Sequence, residues 1–461
     1  MKKLSPRRRL ERNWILYDVG NSAFTLLIST IMPIYFNYLA GEGGIDATTA
    51  TAYWGYAASI VTLCVAILGP TLGTLSDFSG YKRPIFFFFA IAGVLGCAAL
   101  GIPMPWLVFL VVFILTKIFY SASLVFYDSM LVDVTTHERA DDVSSKGYAW
   151  GYIGSCIPFI ISIVIVQFTP LNIAVSMPIA LVINALWWFG FTIPLMKSYR
   201  QTHFVPRTPH AVRDNFKRLF SVFSKKSDVQ NKKGIILFLI AFFLYIDGVY
   251  TIIDMATSFG TALGFDSTNL LLALLLTQVI AFPSAIIFGK LTGKVRNDVL
   301  ILVCIVAYTG IGLFAVFMTE VWQFWTLATA VGLFQGGVQA LSRSYFAKII
   351  PADQSGCLFG ILDIFGKGAA FLGTLLVSVV TQATDSVNLG AIPIVCLFAA
   401  GIAVFVVAAH VNRPYLAKQA ADDAAAAANA PLADPAAEDG AEGEAAAAED
   451  TPAADGDSAS D

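Results

Sequence analysis

Polar and ionisable side chains recur at helical spacing inside four otherwise apolar stretches of the sequence. Residues three or four apart lie on one face of a helix, so each set forms a polar stripe. A carboxylate on such a stripe could bind an ammonium group or carry a proton. A lysine could bind a carboxylate, and hydroxyls and amides could hydrogen-bond a polar molecule. The candidates for binding a substrate or coupling a proton are Asp18, Asn21, Thr25, Lys117, Asp247, Tyr250, Asp254, Gln335 and Gln339.

Lys117 and Asp247 are an informative pair, because each falls near the middle of its apolar stretch. An ionised group at the centre of a bilayer costs about 2.5 to 3.5 kcal/mol on insertion scales, and two opposite charges there offset each other's desolvation. We expect the two side chains to face each other across a central cavity and to share a solute. A purely structural pair that holds helices together is the alternative. Asp363 and Lys367, four residues apart, are expected to form an ion pair within one helix.

The composition places the chain in a membrane. Of its 461 residues, 57% are apolar and only 13% are charged, so a soluble protein of this sequence would lack the polar residues to cover its outside. A membrane-spanning helix needs about 20 apolar residues. We therefore predict an all-α membrane protein with twelve transmembrane helices. The twelve segments lie at about 14–40, 52–75, 84–102, 105–130, 147–168, 173–196, 234–262, 267–289, 298–319, 321–346, 356–381 and 389–411.

The basic residues predict how these segments cross the membrane. Every Lys and Arg outside the twelve segments lies near a terminus or in a loop that follows an even-numbered segment. Loops enriched in Lys and Arg are cytoplasmic ones. We therefore expect a multi-pass protein of the cell (plasma) membrane with both termini in the cytoplasm.

The longest connection divides the chain into two sets of six segments. It carries ten basic residues between about 197 and 233, and its apolar residues at 212, 216, 219, 220 and 223 share one face of a predicted amphipathic helix.

The last 41 residues hold 12 acidic residues and no basic ones, and such a composition cannot bury a core. The predicted parts are a cytoplasmic N-terminus at 1–13, a six-helix bundle at 14–196, the basic linker at 197–233, a second six-helix bundle at 234–411 and a disordered acidic cytoplasmic tail at 412–461.

The loop between the second and third segments has a specific spacing of small and charged residues. Residues 73–83 read Gly-Thr-Leu-Ser-Asp-Phe-Ser-Gly-Tyr-Lys-Arg. Gly73 permits close helix approach, Asp77 could face the positive end of a neighbouring helix, and Gly80 allows a chain reversal. Lys82 and Arg83 are expected to anchor at lipid headgroups. The spacing resembles the G-x-L-x-D-x-x-G-x-K/R-K/R loop of the major facilitator superfamily, which implies a gating role, and we call residues 73–83 the gating loop.

Longer stretches are similar to one branch of that superfamily. They are residues 14–24, 245–253, 336–344 and 365–367, the first of which reads Trp-Ile-Leu-Tyr-Asp-Val-Gly-Asn-Ser-Ala-Phe. They resemble the vacuole-effluxer, autophagy-related branch, and the resemblance covers about 14–411. It implies two six-helix bundles that alternate access to a central site and, for the fungal members, efflux of amino acids from the vacuole. The substrates of bacterial members do not follow from it.

Three classes of function compete. A secondary transporter of a small polar solute, such as an amino acid or peptide, coupled to an ion or proton, explains the polar stripes. A sugar or drug carrier of the same fold is the alternative. An enzyme is disfavoured because the sequence has no HExxH or GxSxG motif and no Cys/His cluster, and we expect no metal and no cofactor. A non-transporting sensor or scaffold would leave the stripes without a role. The expected partners are a small-molecule solute and membrane lipids, with no nucleic acid, and the chain is expected to function as a monomer.

Labelling from outside the cell tests the predicted topology. On a Cys-free background, Glu42→Cys lies in a loop without basic residues, so it should react with a membrane-impermeant thiol reagent added to intact cells. Asp214→Cys lies in the basic linker and should react only after the membrane is opened. The opposite pattern would contradict the predicted orientation.

Overall fold

The structure, a computed structural model, describes residues 5–206 and 230–428, and these ranges are mostly α-helical. Phe78 and Val205 form an isolated β-bridge there. The helices are α1 (Pro6–Thr30), α2 (Met32–Glu42), α3 (Ala47–Ser76), α4 (Lys82–Ala99), α5 (Trp106–Ser129), α6 (Leu131–Val134), α7 (Ala140–Phe168), α8 (Ile173–Ser198), α9 (Lys232–Ala262), α10 (Ser267–Leu291), α11 (Asn297–Val316), α12 (Val321–Ile349), α13 (Ser355–Thr384) and α14 (Ile392–Ala428).

Each predicted apolar segment coincides with a long helix or, for the first segment, with α1 and α2 together. Within the described ranges nine helices are long and apolar enough to cross a membrane, or ten if the bent pair α1 and α2 counts as one span. The fold is therefore an all-α, multi-pass membrane fold. α12 falls short because its sequence includes Gln335, Gln339 and Arg343. The number of twelve spans stays a prediction.

The helix bounds differ from the predicted segments at three places. α1 begins at Pro6, so it extends into the predicted cytoplasmic N-terminus at 1–13. The first apolar segment is also broken in two, because Pro33 at the start of α2 has no N–H to bond the carbonyl one turn earlier. The last helix continues through an alanine-rich stretch of high helix propensity to Ala428, so residues 412–428 are helical instead of disordered. The expected amphipathic helix at 212–223 and the tail beyond 428 lie outside the described residues.

The helices before and after the basic linker pack mainly among themselves. These halves meet most extensively in two helix pairs, and α7 with α12 and α5 with α13 make smaller contacts. α3 packs against α13, and α7 packs against α10. The α3–α13 contact is close because both helices carry two glycines four residues apart. A Cβ at Gly73 would lie 2.2 Å from the carbonyl oxygen of Gly356, and one at Gly360 would lie 2.6 Å from that of Gly69. Residues up to Arg413 form one compact unit, and the division into two six-helix bundles stays a prediction.

The gating loop connects the two halves through a carboxylate. Asp77 follows α3 and accepts hydrogen bonds from the backbone N–H groups of Gly356 (2.7 Å) and Cys357 (3.0 Å), in the first turn of α13. N–H groups at a helix start have no partner within their own helix, so they stabilise a negative charge. Gly80 has a φ of 75°, which the chain reversal requires.

Lys82 of the gating loop points inward, and the expectation that it anchors at lipid headgroups was wrong. Arg83 is exposed, and its contact with lipid headgroups stays a prediction. Lys82 is fully buried, donates to Ser355 Oγ at 2.8 Å and lies 3.7 Å from Asp133 Oδ2. Arg83 donates from Nε (3.1 Å) and Nη2 (2.8 Å) to the carbonyl oxygen of Met196. A buried polar group without a hydrogen-bond partner is costly, and these hydrogen bonds avoid that cost. Lys82 therefore adds a second polar contact between the gating loop and the start of α13.

Asp77→Asn should weaken the closed contact between the gating loop and α13. The amide keeps one acceptor oxygen but loses the charge and the second acceptor, which we expect to cost the closed arrangement about 1–3 kcal/mol. Cys357 is only 2% exposed, so as the sole remaining cysteine it reports opening through its labelling rate. That rate should rise about tenfold or more.

Asp46→Asn is the matched control for this experiment. Asp46 caps the opposite end of α3, where its Oδ1 accepts a hydrogen bond from the Thr49 N–H at 2.9 Å. The control should label at the wild-type rate. Equal labelling of Cys357 in all three proteins would contradict a closing role for Asp77.

Candidate functional site

A cavity of about 730 Å³ lies between the two halves of the protein. α1, α2, α3, α5 and α7 form its wall on one side, and α9, α12 and α13 form it on the other. Small-molecule sites typically enclose about 300–1,000 Å³. Charges of both signs inside a membrane protein mark a pathway for a solute or an ion. The charged residues of the wall are Lys117, Asp128, Asp254, Arg343 and Asp363.

Five of the nine residues that we predicted to bind substrate or couple a proton line this cavity. On α9 the cavity face recurs every fourth residue from Phe242 to Asp254. Lys117 Nζ lies 5.3 Å from the centre of the Tyr120 ring, and it attracts Asp254 electrostatically. The five residues are Thr25, Lys117, Tyr250, Asp254 and Gln339.

Asp247 does not face Lys117 across the cavity, and that prediction was wrong. Asp247 is fully buried between α9 and α13, where its Oδ1 accepts hydrogen bonds from the Gly373 N–H (2.8 Å) and Thr251 Oγ1 (3.3 Å). The charged residue of α9 that shares the cavity with Lys117 is Asp254.

The other predicted residues are buried behind the cavity wall. Asn21 Nδ2 donates to the carbonyl oxygen of Tyr17 at 2.9 Å within α1. Gln335 lines a separate small cavity of about 40 Å³. The side chain of Lys367, the expected partner of Asp363, lies outside the described part of the chain. Among the described side chains, no group of three or more His, Cys, Asp or Glu is placed to hold a metal ion.

Arg343 is a central site residue that sequence reasoning left out of the candidates. It is 5% exposed and donates from Nη1 to Asp128 Oδ1 at 2.9 Å, while its Nη2 lies 3.5 Å from Asp18 Oδ2. It also donates from Nε to Ser144 Oγ (2.9 Å) and from Nη2 to the Ser144 carbonyl oxygen (3.0 Å). One guanidinium from the second half therefore meets two carboxylates of the first. Its position on the stripe four residues after Gln339, inside an apolar segment, was the signal that could have found it.

Aromatic rings surround this guanidinium. Arg343 Cζ lies 4.3 Å from the ring centre of Tyr148, 4.7 Å from that of Trp14 and 5.6 Å from that of Tyr127. Trp14 also stacks on Tyr127, with ring centres 4.4 Å apart. The faces of aromatic rings attract a cation more strongly once water is excluded. The rings therefore stabilise Arg343 where it joins the halves.

Polar contacts close the cavity on the side of the protein that carries the basic loops, which we call the basic side. Beyond Arg343, Asp141 binds Lys348 and Asn297 of the second half, and Lys82 binds Ser355. Towards the opposite side, the wall of the cavity includes Pro33, Trp54 and Asp254. The described chain therefore adopts an arrangement that is closed on the basic side.

Comparison with known proteins identifies the family. The model of the family described as "Vacuole effluxer Atg22 like" matches residues 43–415. The chain belongs to this family. YxiO of Bacillus subtilis, described as an uncharacterized MFS-type transporter, is 41% identical over 402 residues, which cover 86% of this chain and 93% of the relative. Autophagy-related protein 22-1 of Aspergillus niger is 28% identical over 266 residues, which cover 52% of this chain and only 42% of that protein.

Solved structures share the fold at low sequence identity. The human organic anion transporter MFSD10 (TETRAN) superimposes with a TM-score of 0.69 at 13% identity, covering 87% of this chain and 100% of that one. A bacterial homologue of the iron transporter ferroportin, in its outward-facing state with soaked iron, gives a TM-score of 0.64 at 15% identity, covering 88% and 100%. The fold is that of the major facilitator superfamily. With its family, this makes the chain a multi-pass MFS-type transporter and not an enzyme.

Arg343→Gln should destabilise the protein strongly. Without the guanidinium, the buried carboxylate of Asp18 and the partly exposed carboxylate of Asp128 lose their positive partner, and breaking a buried ion pair costs about 3–5 kcal/mol. The unfolding temperature in detergent measures this loss. Arg296→Gln is the matched control. The Arg296 side chain is 56% exposed, and its buried partner Asp298 keeps a second cation in Arg413 at 3.5 Å, so the loss should be small. If the unfolding temperature of Arg343→Gln falls no further than that of the control, Arg343 does not stabilise the contact between the halves.

Proposed function

We propose that this MFS-type transporter moves a small zwitterionic solute, an amino acid or a short peptide, by alternating access coupled to protons. The observation that carries the proposal is the pair of opposite charges that share the cavity, Lys117 from the first half and Asp254 from the second. A zwitterion carries both a carboxylate and an ammonium group. One bound solute would therefore contact both halves and favour the arrangement that brings both charges to it.

Each end of such a solute would have its own binding group. Lys117 would bind the carboxylate and Asp254 the ammonium group. Tyr120 and Tyr250, in the same wall, would offer ring faces to the ammonium group, and Gln339 would offer hydrogen bonds to either end. The volume of about 730 Å³ accommodates an amino acid or a short peptide together with water.

A sugar or drug carrier of the same fold is the second candidate. Aromatic and amide side chains in the cavity wall favour it, because they suit hydroxyl-rich or ring-containing solutes. A neutral sugar, however, has no group to pair with Lys117 or Asp254. The cavity would then keep two charges that its substrate does not use, at the usual cost of charges inside a membrane.

Asp247 is our candidate for proton coupling. Its Oδ2 is buried without a hydrogen-bond partner, and no basic side chain among the described residues forms an ion pair with it. An ionised carboxylate in such surroundings is costly. Proton uptake would therefore favour the closed contact between α9 and α13, and proton release would favour its opening to water. Because α13 also begins at the N–H groups that bind Asp77, the proton and the gating loop would act on the same helix.

The proposal also includes the side of the membrane that the cavity faces. In a plasma-membrane protein with both termini in the cytoplasm, the basic side is cytoplasmic, so the described arrangement has its cytoplasmic side closed and its cavity directed outward. The chain would function as a monomer, because the residues of a single chain form the cavity wall.

Uptake of radiolabelled amino acids and dipeptides into proteoliposomes tests the binding groups. Lys117→Gln and Asp254→Asn should each raise the KM about tenfold or more, because each removes a hydrogen bond to a charged group, worth about 1.5–3 kcal/mol. Lys290→Gln and Asp385→Asn, at exposed sites outside the cavity wall, are matched controls and should leave the KM unchanged. Uptake of sugars alone, with wild-type kinetics in both cavity variants, would overturn the proposal.

The proton role of Asp247 has a separate readout. Asp247→Asn should abolish the response of uptake to an imposed proton gradient, because an amide cannot exchange a proton in this range. Solute binding, followed as a rise in unfolding temperature, should persist. Gradient-driven uptake at the wild-type rate in this variant would exclude Asp247 from coupling.

A further inference from the structure

A second groove lies apart from the transport cavity, on the basic side of the protein. It has a volume of about 430 Å³ and is formed by the first turns of α1 and the start of α7. None of the residues that line it also lines the transport cavity. The groove is polar at one end and apolar at the other.

The polar end has an excess of positive charge. It is lined by four basic and two acidic residues, and both acids are already matched within the groove. Glu11 accepts hydrogen bonds from Arg139 Nε (2.8 Å) and Nη2 (2.7 Å), and Asp142 pairs with Lys146 at 2.7 Å. The other two basic residues, Arg8 and Arg12, are exposed and form no ion pair within the described chain. Two positive charges therefore remain available to an anion.

The apolar end continues along the same two helices. Ile15, Leu16 and Val19 follow the arginines on α1, and Trp150 lies on α7 with 47% of its surface exposed. From Arg8 to Val19 the helix rises about 16 Å. Tryptophan is enriched where hydrocarbon meets lipid headgroups, and basic residues collect on the headgroup side of that boundary. The groove thus has the polarity of a lipid molecule lying along a helix.

We propose that this groove binds an anionic phospholipid, with the phosphate between Arg8 and Arg12 and an acyl chain along Ile15, Leu16 and Trp150. Basic pockets between helices at the membrane surface bind lipid phosphates in this way. A free phosphate would leave the apolar end uncovered. The acidic C-terminal segment of this chain would also leave the apolar end uncovered, because Leu432 is the one large apolar residue between 421 and 461.

The groove also has a structural link to the interior. α1 contributes Trp14 and Asp18 to the surroundings of Arg343, and α7 contributes Ser144 and Tyr148. A lipid that contacts both helices stabilises the arrangement that holds the guanidinium. Binding therefore raises the unfolding temperature of the protein.

Lipid titration of the purified full chain in a neutral detergent tests the proposal. The probes are dioleoylphosphatidylglycerol, dioleoylphosphatidylcholine as a neutral lipid, and glycerol phosphate as a headgroup without acyl chains. Native mass spectrometry measures binding, and the unfolding temperature measures its effect. Phosphatidylglycerol should bind saturably and raise the unfolding temperature, and the other two probes should do neither.

Two double variants separate a specific site from general attraction. Arg8→Gln with Arg12→Gln should weaken phosphatidylglycerol binding about thirtyfold, given a contribution of about 1 kcal/mol from each basic residue near an anionic surface. Arg7→Gln with Arg9→Gln removes the same charge from the same turns of α1, but these exposed residues do not line the groove, so affinity should stay at the wild-type value. Without lipid, both variants should unfold at the wild-type temperature.

Three results would overturn the proposal. An equal loss of binding in both double variants would show diffuse attraction to the basic N-terminus. Equal binding of glycerol phosphate would reassign the groove to a free phosphate. Wild-type affinity in the Arg8 and Arg12 variant would remove those residues from any anion site.

Discussion

A charge that is buried in a membrane protein must find its partners inside the protein, and Arg343 is the residue where this constraint governs the arrangement of neighbouring helices. Its guanidinium fixes the approach of α1, α5 and α7 to α12, because carboxylates, a serine and ring faces must all reach it. The need for space is equally strict. A Cβ at Gly147 would lie 2.8 Å from Asp18 Oδ2 and 3.0 Å from Arg343 Nη2, so a larger residue there would have to displace one of these charged groups. On the polar stripe of α1, Asp18 contacts this cation and Thr25 lines the cavity.

The same residue connects the cavity with its closed end. Arg343 and Asp128 both line the cavity, so a solute or water that reaches them competes with the contacts that join the halves. To separate the halves, the protein must rehydrate these groups, and rehydration is favourable only when the basic side opens to water. A ligand can drive that change only through a difference in its affinity for the two arrangements. The neighbouring charges of Lys117 and Asp254 are positioned to provide such a difference.

The sequence allowed the helices, the chain reversal in the gating loop and five of the residues that line the cavity to be predicted, because each rests on a local pattern. Hydropathy locates a helix, and a stripe identifies its polar face. The choice between Asp247 and Asp254 could not be made this way, since residues seven apart differ by only about 20° around a helix. What decides it is Gly373 on another helix, whose N–H binds Asp247. Lys82 likewise turns inward because of Ser355, which lies 273 residues away in the sequence. Partners that are distant in the sequence cannot be predicted from the local spacing of residues.

The glycine contact between α3 and α13 has a mechanical consequence. Helices that pack through interlocking side chains must change rotamers when they move past each other, and each change adds to the barrier. Gly69 and Gly73 meet Gly356 and Gly360 backbone to backbone, so no side chains interlock at these four positions. The two helices can pivot or slide there as rigid bodies. At these positions the resistance to movement comes instead from the few hydrogen bonds where α13 begins.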